Sequence, residues 1–182
     1  MTQPETIKID IRTMSAGEVL AHALELTQDS ADRYAQLQAC LEAHHNEAAA
    51  ATLRQIVTYS LATAEAISRN AALEQLPKIA PWQLCWRCAD LIAAPAEAAA
   101  TPCDHQISAS ELLRLALRRE HCALSCFQDA QAEVASDASR KMLSEIALRQ
   151  SDQIAQLEKL LAAAETTDEP APADLDPPNR PD

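Results

Sequence analysis

A chain of 182 residues can bury one sizeable core and is expected to form a single domain. With 27 Asp and Glu against 15 Lys and Arg, its formal charge of -12 speaks against nucleic acid or an anionic membrane as partner, because a phosphate surface would repel it. One glycine and a high content of alanine, leucine and glutamine argue against a β-rich fold and for helix throughout.

The first residues are polar and lack the apolar centre of a signal peptide. No stretch approaches the roughly eighteen uncharged apolar residues of a membrane span. A cytoplasmic location is therefore expected, with the six cysteines mostly reduced thiols.

In chain order, residues 1–14 read as an arm with no assigned element, in which Ile7, Ile9 and Ile11 alternate as if one face lies against something. A capping box, Ser15 with Glu18, opens a first helix that runs to about His44. His44 and His45 suit the negative end of that helix. Asn46 can cap a second helix, which Pro77 should stop. Residues 77–107 form a long connection, with a short helical turn expected after Pro81 and breaks at Pro95 and Pro102. Within it, Trp82 and Trp86 are expected to anchor the connection to the helices. A second capping box, Ser108 with Glu111, opens a third helix, and a fourth starts near Ser136 or Asp137 and ends near Ala164. Residues 165–182 are acidic, hold five prolines and should be a disordered tail. The expected fold is all-α: a four-helix bundle, residues 15–164, made of two helical hairpins joined by one long crossover.

The two hairpins repeat each other. Laying the first helix on the third places Leu20, Ala23, Leu24, Thr27 and Tyr34 on Leu113, Ala116, Leu117, Glu120 and Phe127. Laying the second on the fourth places Leu53, Ile56, Ser60, Thr63 and Ile67 on Leu143, Ile146, Gln150, Gln153 and Leu157. Residues three and four apart share one side of a helix, so these stripes face the bundle axis. Each is interrupted at mid-height by a polar residue. Thr27, Ser60, Thr63, Glu120, Gln150 and Gln153 should form a polar layer across the middle of the core, with Glu120 its one charge.

The chain resembles the rubrerythrin-like branch of the ferritin-like superfamily over residues 18–163. The resemblance is carried by "LAHALELTQDSADRY" from Leu20, "NEAAAATLRQI" from Asn46, "LPKIAPW" from Leu76 and "LLRLALRREHCALSCF" from Leu112. It implies a di-iron centre held by a Glu on the first and third helices and a Glu-x-x-His on the second and fourth. Here the first-helix Glu falls on Thr27, the second-helix pair on Ser60 and Thr63, the third-helix Glu on Glu120, and the last pair on Gln150 and Gln153. Only Glu120 keeps its donor. A register that moves the second-helix ligand to Glu65 rescues one carboxylate and breaks the stripe.

Hydroxyls and amides are neutral, weak ligands, and one carboxylate would leave most of the charge on two divalent ions uncompensated in a low dielectric. The layer is therefore expected to be hydrogen-bonded, with Gln150 or Gln153 pairing with Glu120. With no cationic partner evident, burial should raise the pKa of Glu120, and Glu120→Leu is expected to be tolerated. Cys85, Cys88, Cys103 and His105 supply a rival donor set, that of a tetrahedral zinc site. Their competing reading is as small packing residues. Cys122 and Cys126, one turn apart on the third helix away from Glu120, read as reduced thiols or as a soft-metal pair. The sequence thus points to a non-catalytic binding or structural subunit without cofactor, assembled with its own copy or with a ferritin-like relative. The alternatives are a thiol-based zinc, copper or redox protein using Cys85, Cys88, Cys103 and His105, and an oxidoreductase with an atypical iron site around Glu120.

Overall fold

In a computed structural model of the chain, residues 10–71, 76–80, 83, 84, 86 and 107–167 are described. They form four helices, α1 (Ala16–Ala43), α2 (Glu47–Ala71), α3 (Ala109–Glu133) and α4 (Asp137–Thr167), preceded by a single 3-10 turn, Ile11–Thr13. Among the described residues there is no strand. α1 packs most extensively on α2 and α3 on α4, so the unit of construction is the helical hairpin. No described helix is long and apolar enough to cross a membrane.

Both capping boxes are formed. The Ser15 hydroxyl accepts from the Glu18 N–H at 3.2 Å, and the Glu18 carboxylate accepts from the Ser15 N–H at 2.8 Å. Ser108 and Glu111 repeat the exchange at 3.2 and 3.0 Å. Each box satisfies amide hydrogens that the first turn of a helix leaves without carbonyl partners.

The joint between α1 and α2 is built without glycine. The Asn46 N–H donates to the Leu41 carbonyl at 2.9 Å and the His45 N–H to the Glu42 carbonyl at 3.1 Å. This is the pair of bonds that ends a helix through a left-handed residue, and His45 takes that conformation with φ 60°. Asn46 then caps α2 by accepting from the Ala49 N–H at 3.2 Å, while its amide nitrogen donates to the Ile107 carbonyl at 2.9 Å, at the entry to the second hairpin. A side chain with a Cβ is disfavoured in the left-handed region. His45→Gly should therefore stabilise the fold by about 0.5–1 kcal/mol, less what glycine adds to unfolded-chain entropy; a urea midpoint that falls would show that the His45 side chain is needed at the joint.

Near the N-terminus, Ile11 of the alternating isoleucines lies in the 3-10 turn, because the Asp10 side chain accepts from the Arg12 N–H at 3.1 Å and closes a local ring, and Ile11 packs against the apolar core. Ile7 and Ile9 lie outside the described residues. At the other end α4 runs to Thr167, three residues past Ala164, and Arg114 of α3 donates to Glu165 at 2.6 Å across this added turn. Both side chains are half-exposed, so the bond steers the helix end more than it stabilises it. Residues 76–80, around Pro77, are not helical. The cysteines are expected to be mostly reduced thiols; among the described residues Cys40 is an exception, being disulfide-bonded, whereas Cys122 and Cys126 carry thiols. Composition reports the number of sulfurs and not which of them the fold brings within bonding distance.

The apolar core is divided in two. One cluster gathers Leu20, Leu26, Ile67, Phe127, Leu143 and Ile146, and the other Leu41, Leu53, Ile56, Leu113, Ile154 and Leu157. Trp86 closes the first cluster from the crossover: it is buried, and its ring meets Phe127 edge-on at 5.6 Å and His22 at 5.9 Å. Trp86 is thus an anchor of the connection, while Trp82 lies outside the described residues. Each of these large side chains contributes roughly 1.5–3 kcal/mol by leaving water. Between the two clusters, on all four helices, lies the polar layer.

Candidate functional site

The six polar positions interrupting the stripes are all buried: Thr27, Ser60, Thr63, Glu120, Gln150 and Gln153 are each less than a tenth exposed. They do not form one constellation. Glu120 of α3 accepts from the Tyr34 hydroxyl of α1 at its Oε1 and from the Gln150 amide of α4 at its Oε2, both at 2.5 Å. Separately, the Thr63 hydroxyl of α2 donates to Gln153 Oε1 of α4 at 3.1 Å, and Gln153 Nε2 donates to Ser60 Oγ of α2 at 3.3 Å. Thr27 turns back on its own helix, donating to the Ala23 carbonyl at 2.9 Å. Such back-bonding is how a hydroxyl inside a helix is satisfied without a tertiary partner. The expected pairing of Glu120 with a glutamine is made by Gln150, and Gln153 is committed to α2.

Two participants escape a reading of the stripes. Tyr34 belongs to the apolar stripe of α1, yet its hydroxyl serves Glu120; a tyrosine in an otherwise aliphatic stripe is itself a signal, because a buried O–H needs an acceptor. Arg119, next to Glu120, is 3% exposed. Its Nη2 donates to Asp29 of α1 at 2.6 Å and its Nε to Ser30 Oγ at 3.0 Å, while Ser30 donates to the Leu26 carbonyl at 3.1 Å. Asp29 also accepts from Arg33 at 2.9 Å. Glu120 is therefore not the one charge at this level, and the expectation that it lacks a neighbouring cation is corrected: Arg119 flanks it in sequence and in space.

Burial pushes the Glu120 carboxyl above its ordinary pKa. The hydrogen bonds from Tyr34 and Gln150, and then the Arg119 charge, pull against that shift without reversing it. Elsewhere in the core, His22 is 2% exposed and its Nδ1 has no hydrogen-bond partner among the described residues. Burial lowers its pKa, with Glu18 one turn away opposing weakly.

The donor set does not fit a di-iron centre. Of the six positions that the family resemblance would give to ligands, five present neutral hydroxyls or amides, and both oxygens of the single carboxylate are engaged by Tyr34 and Gln150. Glu65, the residue of the alternative register, is exposed. Among the described residues no group of three or more His, Cys, Asp or Glu is placed to hold a metal ion. Cys85, Cys88, Cys103 and His105, the zinc candidates, lie outside the described residues. Cys122 and Cys126 lie half-buried on α3, Cys126 packing against the first apolar cluster.

No family model and no curated protein sequence matches the chain. Among solved structures the fold is similar to that of an uncharacterized conserved protein from Magnetospirillum magnetotacticum MS-1, with a TM-score of 0.63 over 87% of this chain and 99% of that one. The two sequences are 22% identical, so the likeness speaks for the fold alone.

Proposed function

We propose that this chain is a ferritin-like bundle of the rubrerythrin-like kind whose metal positions have been converted into a hydrogen-bonded layer, and that it acts as a non-catalytic binding or structural subunit. The observation that carries this reading is the internal closure of the layer. Glu120 is occupied by Tyr34 and Gln150, and Gln153 by Thr63 and Ser60, so the side chains at the ligand positions serve each other. Binding two iron ions there would require breaking four buried hydrogen bonds and offering one carboxylate against four positive charges, a cost of many kcal/mol with no compensating ligand. The resemblance to a family of associating bundles supports a partner of the same kind, its own copy or a ferritin-like relative.

Iron tests the first half of the proposal. Protein supplied with ferrous ion and oxygen should show no stoichiometric oxidation above a buffer control and no oxo-bridged absorbance. Two irons bound per chain would overturn the reading. Light scattering on the purified chain, alone and mixed with a metal-loaded ferritin-like protein, tests the second half, and a strict monomer in both cases would remove the partner.

A further inference from the structure

We propose that the groove between α2 and α4 binds a small zwitterion, specifically an α-amino acid with an uncharged polar side chain. The groove has a volume of about 240 Å³ and lies over the Ser60–Thr63–Gln153 half of the polar layer. Of the residues that line it, Thr63 and Gln153 are buried and so form its floor, Tyr59 is half-buried, and Arg149, Asp152 and Gln156 are exposed at its rim. Ligand pockets commonly measure roughly 300–1,000 Å³, so a space just below that range suits one compact molecule and not a nucleotide or a folded peptide.

The floor has hydrogen-bonding capacity to spare. The Thr63 hydroxyl spends its hydrogen on Gln153 and keeps its lone pairs, and the Gln153 amide gives one N–H to Ser60 and keeps the other. Both side chains are nearly buried, 8% and 6% exposed, so a ligand reaching them would leave water behind. At the rim, Arg149 and Asp152 are three residues apart on one helix face, where Cβ atoms lie about 5–6 Å from each other. Neither makes an ion pair or a hydrogen bond among the described residues. One cation and one anion at that separation select a ligand carrying both signs close together. An anion would meet Asp152 and the net charge of -12, and a cation would meet Arg149. An α-amino acid satisfies both: its carboxylate faces the two parallel N–H groups of the guanidinium and its ammonium faces Asp152. A hydroxyl or amide on its side chain then reaches Thr63 and Gln153. The proposal is independent of assembly with another subunit.

The test is a titration of the isotopically labelled full chain with L-serine, read by amide chemical shifts. Saturable shifts at Thr63 and Gln153 are expected, with a dissociation constant on the order of 1 mM because the rim charges are solvent-exposed. Arg149→Gln and Asp152→Asn should each weaken binding about tenfold without changing the melting temperature, and Glu158→Gln should change nothing. Acetate and methylammonium, each carrying one half of the zwitterion, should bind at least about tenfold more weakly. No saturation by about 10 mM L-serine, an equal response to acetate alone, or unchanged affinity in both rim variants would overturn the proposal.

Discussion

Asp29→Ala is expected to destabilise the bundle by about 2–3 kcal/mol, whereas Arg119→Met, which removes the other partner of the same ion pair, should cost less than about 1 kcal/mol. The asymmetry follows from where the two charges sit. The Arg119 side chain is 1% exposed and that of Asp29 is 40% exposed. Removing Asp29 leaves a guanidinium in the core without the carboxylate it meets at 2.6 Å, and water entering from the exposed side replaces only part of that charge. Removing the guanidinium leaves Asp29 with Arg33 and with solvent, and leaves Ser30 still donating to the Leu26 carbonyl. Methionine fills much of the vacated volume with flexible apolar atoms. Because solvent reaches the carboxylate, the expected loss lies below the usual range for a fully buried pair. Urea denaturation of the two single variants and the double variant measures the coupling: the double should resemble Arg119→Met and recover most of what Asp29→Ala lost. An Asp29→Ala protein within about 0.5 kcal/mol of wild type would mean that the guanidinium is compensated elsewhere.

The sequence made visible what helices decide locally. Ser15 with Glu18 and Ser108 with Glu111 announce two helix starts because capping is a three-residue exchange that needs no tertiary partner. The period of the stripes put Thr27, Ser60, Thr63, Glu120, Gln150 and Gln153 at mid-height, since one face per helix is what 3.6-residue periodicity specifies. It does not specify a second face. Arg119 lies about 100° around α3 from Glu120 and is buried only because α1 covers that flank, a consequence of hairpin docking that no local pattern records. The Tyr34–Glu120 bond spans the same interface, and its chemistry was legible while its geometry was not. Asp10 and His45 are different cases. Their local chemistry, an Asx turn and a left-handed helix end in a chain with one glycine, was present in the sequence but hidden by the more obvious alternation of Ile7, Ile9 and Ile11 and the dipole preference of His44 and His45.

Glu120→Leu should now cost about 2–4 kcal/mol, the reverse of what the stripe alone suggests. A leucine would take the carboxylate from two buried donors, the Tyr34 hydroxyl and the Gln150 amide, at roughly 1–3 kcal/mol each, and the bonds they keep to backbone carbonyls, Tyr34 to Ala116 at 3.5 Å and Gln150 to Glu120 at 3.4 Å, are long and weak. Glu120→Gln keeps acceptor and shape: the Tyr34 hydroxyl can donate to the new amide oxygen and Gln150 can rotate to accept from the new N–H. It should stay within about 1 kcal/mol of wild type at neutral pH. The two carboxyl states separate this network from a mere packing role. Burial raises the Glu120 pKa above 4.5, so the unfolded chain ionises first as pH rises while the folded chain holds its proton. The unfolded state is then favoured, and stability present below pH 4.5 declines as pH climbs through the folded pKa. His22 acts with the opposite sign: its folded pKa lies below 6.5, so stability declines as pH falls from 6.5 and the unfolded imidazole takes up its proton first. The two slopes overlap and oppose each other, and the wild-type profile alone would not resolve them. The difference between wild type and Glu120→Gln cancels the His22 contribution. It should show the variant gaining relative stability as pH rises above 4.5, and a flat difference would mean that the hydrogen bonds from Tyr34 and Gln150, with the Arg119 charge, offset the cost of burial and leave Glu120 with the same pKa folded and unfolded.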